Sequence, residues 1–322
     1  MLMIQRKEHA MSYSPQSGII PEPSQHSRYI VLKVKDLKLD TLKERLADFE
    51  TTRARLLSQY PESKLSTVVS FGCQLWQRLG QKLPAGFHDL APIQGQGTAH
   101  HFVLPATGGD LMIYIHAERA DLCFLMSQTL LHELDGIEVM DERTGFRYLD
   151  RRDLTGFIDG TENPAGDDDR IEVALLDESA GEFAASSFAF SQRYVHDLSA
   201  WQKLKVDAQE AVIGRSKLES IEQPEGIKRT NSHIARVVIE DEDGQELEIL
   251  RTSAPYGDGG GEKGLFFHAY TRDLTIIDRM LARMYGVGDA VSDRLLNFVT
   301  PVSGAYFFAP SQELLDQAIG AD

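Results

Sequence analysis

Asp159 lies between Ile158 and Gly160 in the string Arg152-Asp-Leu-Thr-Gly156-Phe-Ile-Asp159-Gly160-Thr-Glu-Asn-Pro164. A carboxylate that follows an aromatic and an aliphatic residue faces partly dehydrated surroundings. Desolvation disfavours its charge and moves its pKa up, towards the range of a proton carrier. Gly156 and Gly160 let the backbone bend sharply or come close to a ligand. An isolated Asp-Gly is an ordinary turn, so this carboxylate needs partners before it means anything. Two stand downstream. His233, in Arg229-Thr-Asn-Ser-His233-Ile-Ala-Arg236, sits at the mouth of an apolar strand, where an imidazole is either a structural group or a ligand. Arg251 interrupts the run Leu247-Glu-Ile-Leu-Arg251-Thr-Ser253, and burial tolerates it only opposite a carboxylate or an anionic ligand. The nearby Gly257-Asp-Gly-Gly-Gly-Glu-Lys263-Gly264 looks superficially like a phosphate loop. Glu262 breaks the spacing and no Ser or Thr follows the lysine, so a long hairpin loop explains it better.

The composition narrows the classes. Lys plus Arg total 33 against 49 Asp plus Glu, a formal net charge of −16, which disfavours nucleic acid and anionic membrane as partners. The two cysteines, Cys73 and Cys123, form no CxxC and have no His at metal-ligand spacing, so both read as buried thiols. No run approaches the ~18 apolar residues of a membrane span, and the N-terminus lacks an apolar core of secretory length, giving a cytoplasmic expectation. Met11 is an alternative start, and residues 1–25 read as a flexible arm.

The elements that must position these side chains follow from periodicity. Residues 28–35 read as a strand, 40–60 as a helix capped by Asp40 with Leu42, Leu46, Phe49 and Leu56 on one face, and 65–71 as a second strand. A short helix runs through Trp76 to Leu79, followed by a loop with a strand near 99–104. A strand at 110–116, a helix at 120–134 and a short strand at 137–140 complete a β-α-β-β-α-β order, that of a ferredoxin-like unit. The later half follows the same order roughly. It has a strand at 188–196, helices around 199–214, a hairpin of 234–240 and 246–252 turned by Asp243-Gly244, a strand at 265–270, a helix at 274–284 and a strand at 305–308. Asp167-Asp168-Asp169 reads as a solvated loop, and the C-terminal segment as a short helix.

Gly156-Phe-Ile-Asp159-Gly160 followed by Thr161-Glu-Asn-Pro164 resembles the GxxDG motif of the dye-decolorizing (DyP-type) haem peroxidases, in a compact bacterial form. Asn231-Ser232-His233 with Ile-Ala-Arg236 is similar to that family's proximal ligand segment, and Leu250-Arg251-Thr-Ser253-Ala-Pro-Tyr256-Gly257 to its distal arginine segment. The motifs stand in the family's order, and the likeness runs from about residue 16 to the C-terminus. Ala254 departs from the methionine that many relatives carry there.

The resemblance implies an α+β fold of two ferredoxin-like domains, here 26–150 and 151–322, with haem b in the second. It implies an enzyme that reduces hydrogen peroxide through a ferryl intermediate and oxidises aromatic or dye-like donors. Asp159 would carry the proton, Arg251 would stabilise developing negative charge, and His233 would bind iron. Ser253 would orient a distal water or remain a backbone-bonded strand hydroxyl. Asp278 is a candidate to hold the other nitrogen of His233. His196, Arg215 and Lys228 are candidates for the haem propionates, and alternation along 265–267 puts Phe267 among the haem contacts. Trp76, Trp201 and several tyrosines are relay candidates, with core packing as the ordinary reading. A homo-oligomer is a further expectation from the family; some of its members are encapsulated cargo, but no appended targeting peptide is evident after Ala309 to support an encapsulin shell here. Two other functions compete: a haem-handling protein with incidental turnover, and a divalent-metal enzyme using Asp159, Glu162 and Asp167–Asp169.

Overall fold

The computed structural model describes residues 13–97, 101–133 and 135–321. In the first half, β1 (His26–Val34) leads to the helix α1 (Leu39–Gln59), β2 (Ser66–Phe71) and a short α2 (Cys73–Arg78). A two-stranded ladder of β3 (Ile93–Gln94) and β4 (Val103–Leu104) precedes β5 (Leu111–Ala117), α3 (Ala120–Leu131) and β6 (Ile137–Phe146). The strands pair in the order β2-β5-β1-β6, the ferredoxin-like arrangement, with α1 and α3 packed on one face. The strand expected near 99–104 therefore belongs to the small ladder and not to the main sheet. The last strand is also longer than its apolar start suggested, since β6 continues through Asp-Glu-Arg-Thr-Gly-Phe146.

In the second half, α4 (Asp167–Ala174) precedes β7 (Ser187–His196). Three short helices follow: α5 (Leu198–Gln202), α6 (Val206–Ile213) and α7 (His233–Val237). Next come β8 (Leu250–Arg251), β9 (Ala254–Gly257), β10 (Lys263–Thr271), α8 (Leu274–Met284), β11 (Val299–Pro301), β12 (Ala305–Ala309) and α9 (Gln312–Ile319). Here the order is β12-β7-β10 with β8 and β9 along the outer edge of β10, the same topology again.

The two sheets join at both edges. Phe308 on β12 pairs with Phe71 on β2, and Gly145 on β6 pairs with Tyr256 on β9. With β7 paired to β10, eight strands close into a ring. A strand covered both by the ring interior and by helices has two buried faces, which is why β5 (Leu-Met-Ile-Tyr-Ile-His-Ala) is buried at every position. Tyr29, Val31, Met112, Tyr114, Phe266 and Phe307 point into the ring. The alternate residues Ile30, Leu32, Ile113 and Ile115 pack outward against Leu42, Leu46, Phe49, Met126 and Leu130 of α1 and α3.

Four local expectations are corrected. Residues 13–25, read as flexible arm, are tied down: Gln16 bonds Val69 through both ends of its amide and also reaches Pro310 O, and Ile19 is fully buried. Residues 1–12 lie outside the described residues. Helix α1 starts at Leu39, with Asp40 inside its first turn, where a carboxylate meets the positive end of the helix dipole. Asp167–Asp169 form the first turn of α4 and not a loop, for the same reason. Residues 234–240 are not a strand: the chain is helical over α7, and only the single bridge Glu240–Glu246 survives of the hairpin.

Candidate active site

An open cavity enclosing about 1450 Å³, counted with its mouth, lies in the second half. One wall is the outer face of the sheet, through Phe190 of β7 and Leu265 and Phe267 of β10; Phe266 between them turns into the ring. Ile277 and Met280 of α8 form another wall, and Leu247 and Ile249 a third. Asp159, His233 and Arg251 all line this cavity, although the first and the last are 92 positions apart in the chain.

Asp159 is set by a rigid turn. Asp153 Oδ2 accepts from the Thr155 backbone N–H at 2.9 Å and from its hydroxyl at 2.6 Å, and Arg152 donates to Gly156 O at 2.8 Å. Asp159 N–H donates to Arg151 O at 2.9 Å. Gly156 and Gly160 adopt φ of 88° and 79°, the left-handed region that favours glycine, and a Cβ on Gly156 would also lie 2.7 Å from Lys217 Cε. Burial pushes the Asp159 carboxyl above the usual range, outweighing the pull of Arg251; Asp153 adds to the rise and His233 opposes it. Arg251 and His233 thus act on the same carboxylate electrostatically.

Arg251 is held by a residue that sequence reasoning gave no role. Asn163 Oδ1 accepts from the Arg251 backbone N–H at 3.0 Å and from its Nε at 3.3 Å, while Asn163 Nδ2 donates to Arg251 O at 2.8 Å. One side-chain amide thus replaces a missing strand neighbour and ties the Asp159 turn to β8. Its signal was its place in Thr-Glu-Asn-Pro, too short to interpret alone. Ser253 takes the backbone role weighed for it. Its hydroxyl accepts from His268 N–H at 3.2 Å and lies 3.4 Å from His268 O, bridging the gap between β8 and β9. It lines a smaller cleft behind Asp159 and Arg251, together with Tyr29 and Arg152.

His233 opens α7, and its Nδ1 lies 2.6 Å from Oδ2 of the fully buried Asp293. The other carboxylate oxygen accepts from Leu295 N–H at 2.8 Å and the Asp293 N–H donates to Met284 O at 2.8 Å, so the acceptor cannot swing. With Nδ1 occupied, Nε2 is the nitrogen left for a ligand. Asp278 is not this partner: its oxygens meet His88 and Tyr306, because α8 turns that face away from the cavity. The substitute, Asp293, carried only the signal of an Asp before a short helical run.

His196 and Arg215 line the cavity, and Lys228 instead pairs with Glu222. His196 Nδ1, Asp153 Oδ1 and Arg215 Nε are buried there without a hydrogen-bond partner, and Arg215 also contacts Glu162. Buried polar atoms normally have partners, so their clustering on one rim marks a place for polar ligand groups. Trp201 donates to Thr155 O and packs on Phe157 and Phe298, and Trp76 donates to Lys82 O within the first half; both serve packing.

Family models described as Dyp-type peroxidase, N-terminal, and Dyp-type peroxidase, C-terminal, match residues 16–147 and 150–314. The chain belongs to the Dyp-type peroxidase family. It is 38% identical over 307 residues to a dye-decolorizing peroxidase of Rhodococcus erythropolis, covering 92% of this chain and 88% of the relative. The solved encapsulated DyP-type peroxidase of Mycobacterium smegmatis is 35% identical, with TM-score 0.89 over 95% of this chain and 98% of that one. A variant of Rhodococcus jostii RHA1 DypB solved in complex with heme is 36% identical, with TM-score 0.83 over 93% of this chain and 97% of that one. The peroxidase assignment favours turnover over haem handling. Among the described residues no His, Cys, Asp and Glu cluster suits a bare metal ion, and no helix is long and apolar enough to cross a membrane.

Proposed function

We propose that the cavity binds haem and that Asp159, Arg251 and His233 carry out the peroxidase reaction on it. The residues fit the group on three counts: apolar walls for a macrocycle, a histidine with one nitrogen committed to a carboxylate, and a guanidinium and an imidazole in the lining, each with one buried nitrogen lacking a hydrogen-bond partner, for propionates. His233 Nε2 would ligate the iron, with Asp293 fixing the tautomer and raising the imidazole's basicity. Arg215 and His196 would hold the propionates. Haem supplies the two-electron reduction of peroxide and the one-electron oxidation of donors.

Asp159 would take a proton from one peroxide oxygen and return it to the departing one, so that water leaves in place of hydroxide. Its raised pKa makes the carboxylate a stronger base for the uptake; as pH falls through that value, it fills from solvent and can no longer accept. Arg251, always cationic and clamped by Asn163, lowers the energy of the negative charge that builds on the leaving oxygen. Electron-rich aromatic donors are the reductants. Small oligomers, a cytoplasmic setting and enclosure in a protein shell, as for the Mycobacterium smegmatis relative, extend this reading.

The observation that carries it is the convergence of Asp159, Arg251 and an Asp293-backed His233 on one cavity. Stopped-flow mixing of haem-loaded protein with peroxide tests it. Arg251→Ala should retain the Soret band and slow the peroxide reaction by about 10²–10³; an unchanged rate removes Arg251 from the mechanism.

A further inference from the structure

Buried polar atoms gather inside the ring of strands as well as on the cavity rim. Tyr29, Tyr114 and Tyr270 turn into the ring, and alternation along β5 and β10 sends His116 and His268 the same way. These side chains form one cluster. Between ring centres, Tyr114 lies 5.2 Å from Tyr29, 5.2 Å from His116 and 5.4 Å from His268, which lies 4.9 Å from Tyr270. Ser27 Oγ, Tyr114 Oη, His116 Nε2, Thr252 Oγ1, His268 Nε2 and Tyr270 Oη find no hydrogen-bond partner among the described residues, and each residue is no more than 4% exposed. Buried polar atoms normally have partners, so this concentration points to a bound polar species.

The two histidines are held alike. Ser24 Oγ lies 3.1 Å from His116 Nδ1, and Ser191 Oγ lies 2.7 Å from His268 Nδ1, which leaves Nε2 as the open end of each ring. Burial pushes His116 down to about 4 and His268 down to about 3, outweighing the nearby Gly18 and Phe190 carbonyls. Each is thus a neutral imidazole, able to donate on one nitrogen and accept on the other. The cluster reaches the site at the cleft behind Asp159 and Arg251, whose wall includes Ser24, Ser27 and Tyr29. Tyr29 donates to Thr252 O at 2.7 Å. Burial holds its phenol protonated against the pull of Ser27, and the Asp159 charge adds to the rise. Ser27 stands beside Tyr29 and Thr252 beside Tyr114, so polar groups lead from His268 to the wall that Asp159 shares.

We propose that the ring interior binds ordered water, and that this water, with Tyr114, His268 and Ser27, supplies protons to Asp159 during donor oxidation. It rests on the reading of Asp159 as the proton carrier over the haem site. A buried water makes about three hydrogen bonds, so the open atoms call for about two waters. The proton balance requires a supply. The water that leaves in the peroxide step carries both hydrogens of the peroxide, so the second oxygen needs two electrons and two protons to leave as water. Two phenols or aromatic amines give the electrons, and those too bulky to reach Asp159 release their protons to solvent. For each proton lost there, one passes from the ring water through Ser27 to Asp159. Solvent in the cleft replaces it through Ser24 and His116.

High-resolution crystallography of the haem-loaded protein, with solvent isotope effects on its turnover, tests this. Wild type should show water bonded to Tyr114 Oη and His268 Nε2. Tyr114→Phe should lose water there without raising the thermal midpoint of the haem-free protein, because the hydroxyl already had a partner. A dry ring predicts the reverse, since removing an unsatisfied buried phenol stabilises. The same variant should lower kcat for a bulky dye by about tenfold and enlarge the solvent isotope effect, with the peroxide reaction changed less. Ser27→Ala, at the Asp159 end, should slow dye turnover likewise while the water on His268 stays, which separates proton passage from packing. A ring without water, a midpoint that rises in Tyr114→Phe, or a kcat and isotope effect untouched by both variants overturns the proposal. A wild type lacking a Soret band or any peroxide-driven spectral change instead overturns the haem reading beneath it.

Discussion

The two halves of this chain share one strand order and differ in what lies over the outer face of their sheets. In the first half, α1 runs 21 residues and α3 runs 12, and together they lay Leu46, Phe49, Met126 and Leu130 directly on the sheet. In the second half the matching crossover after β7 is broken into α5, α6 and α7, of 5, 8 and 5 residues, and the irregular segment that follows leads to β8. Those short pieces cannot lay a continuous apolar face on β7 and β10, so the space a long helix fills in the first half stays open as the cavity. One topology thus yields a core once and a site once, because function depends on what covers the sheet and not on the sheet.

Substitutions over the outer face of the sheet in the two halves should separate these roles. His233→Ala should abolish stable haem binding, read as loss of the Soret band, while the fold is retained by circular dichroism. Phe49→Ala, over the first sheet, should do the reverse: about 3–5 kcal/mol of stability lost in denaturant unfolding, with haem bound normally by the folded fraction. Haem loss from Phe49→Ala at full folding would break the contrast.

Next in size, Asp159→Asn should slow the peroxide reaction by about 10²–10⁴ with haem retained. The pH profile adds a sign. Because burial raises the Asp159 pKa, the wild-type rate should fall on the acid side at a pH above the ordinary aspartate value of 3.8, and that limb should vanish in the variant. The same shift predicts the stability effect. A carboxyl whose folded pKa is raised contributes stability below its unfolded pKa and loses it as pH rises through the folded one, so Asp159→Asn should raise the thermal midpoint of the haem-free protein at neutral pH. A wild-type acid limb at or below 3.8 would remove the electrostatic premise.

The smallest effect belongs to Asn163→Ala. Loss of the bracket on Arg251 should lower the peroxide rate by about tenfold without changing haem content, a positioning effect smaller than removal of the guanidinium. A loss as large as that of Arg251→Ala would mean that Asn163 touches the reacting atoms itself.

Much of the fold was legible because period-2 and period-3.6 patterns survive wherever an element has one consistent neighbour: β1, α1, β5 and α8 all emerged near their observed bounds. Failures came where a local rule met a tertiary one. Ile234-Ala-Arg-Val-Val238 has strand composition, yet a helix forms where Arg236 is held by Arg283 O and Asp289. Gln16 and Ile19 looked like tail residues, and became fixed only because β2 offers Val69 as a backbone partner.

The sequence by itself determined the chemical groups and their order: one carboxylate in an apolar turn, one histidine, one arginine in an apolar strand, on two copies of a β-α-β-β-α-β pattern. Only the tertiary structure decided which groups meet. Asp293 and Asp278 look alike along the chain, each an acid followed directly by an arginine. The direction in which α8 turns and the tether of Asp293 to Met284 send one to His233 and the other to Tyr306. A hydrogen bond depends on distances of about 3 Å between atoms far apart in sequence, and no local pattern encodes these.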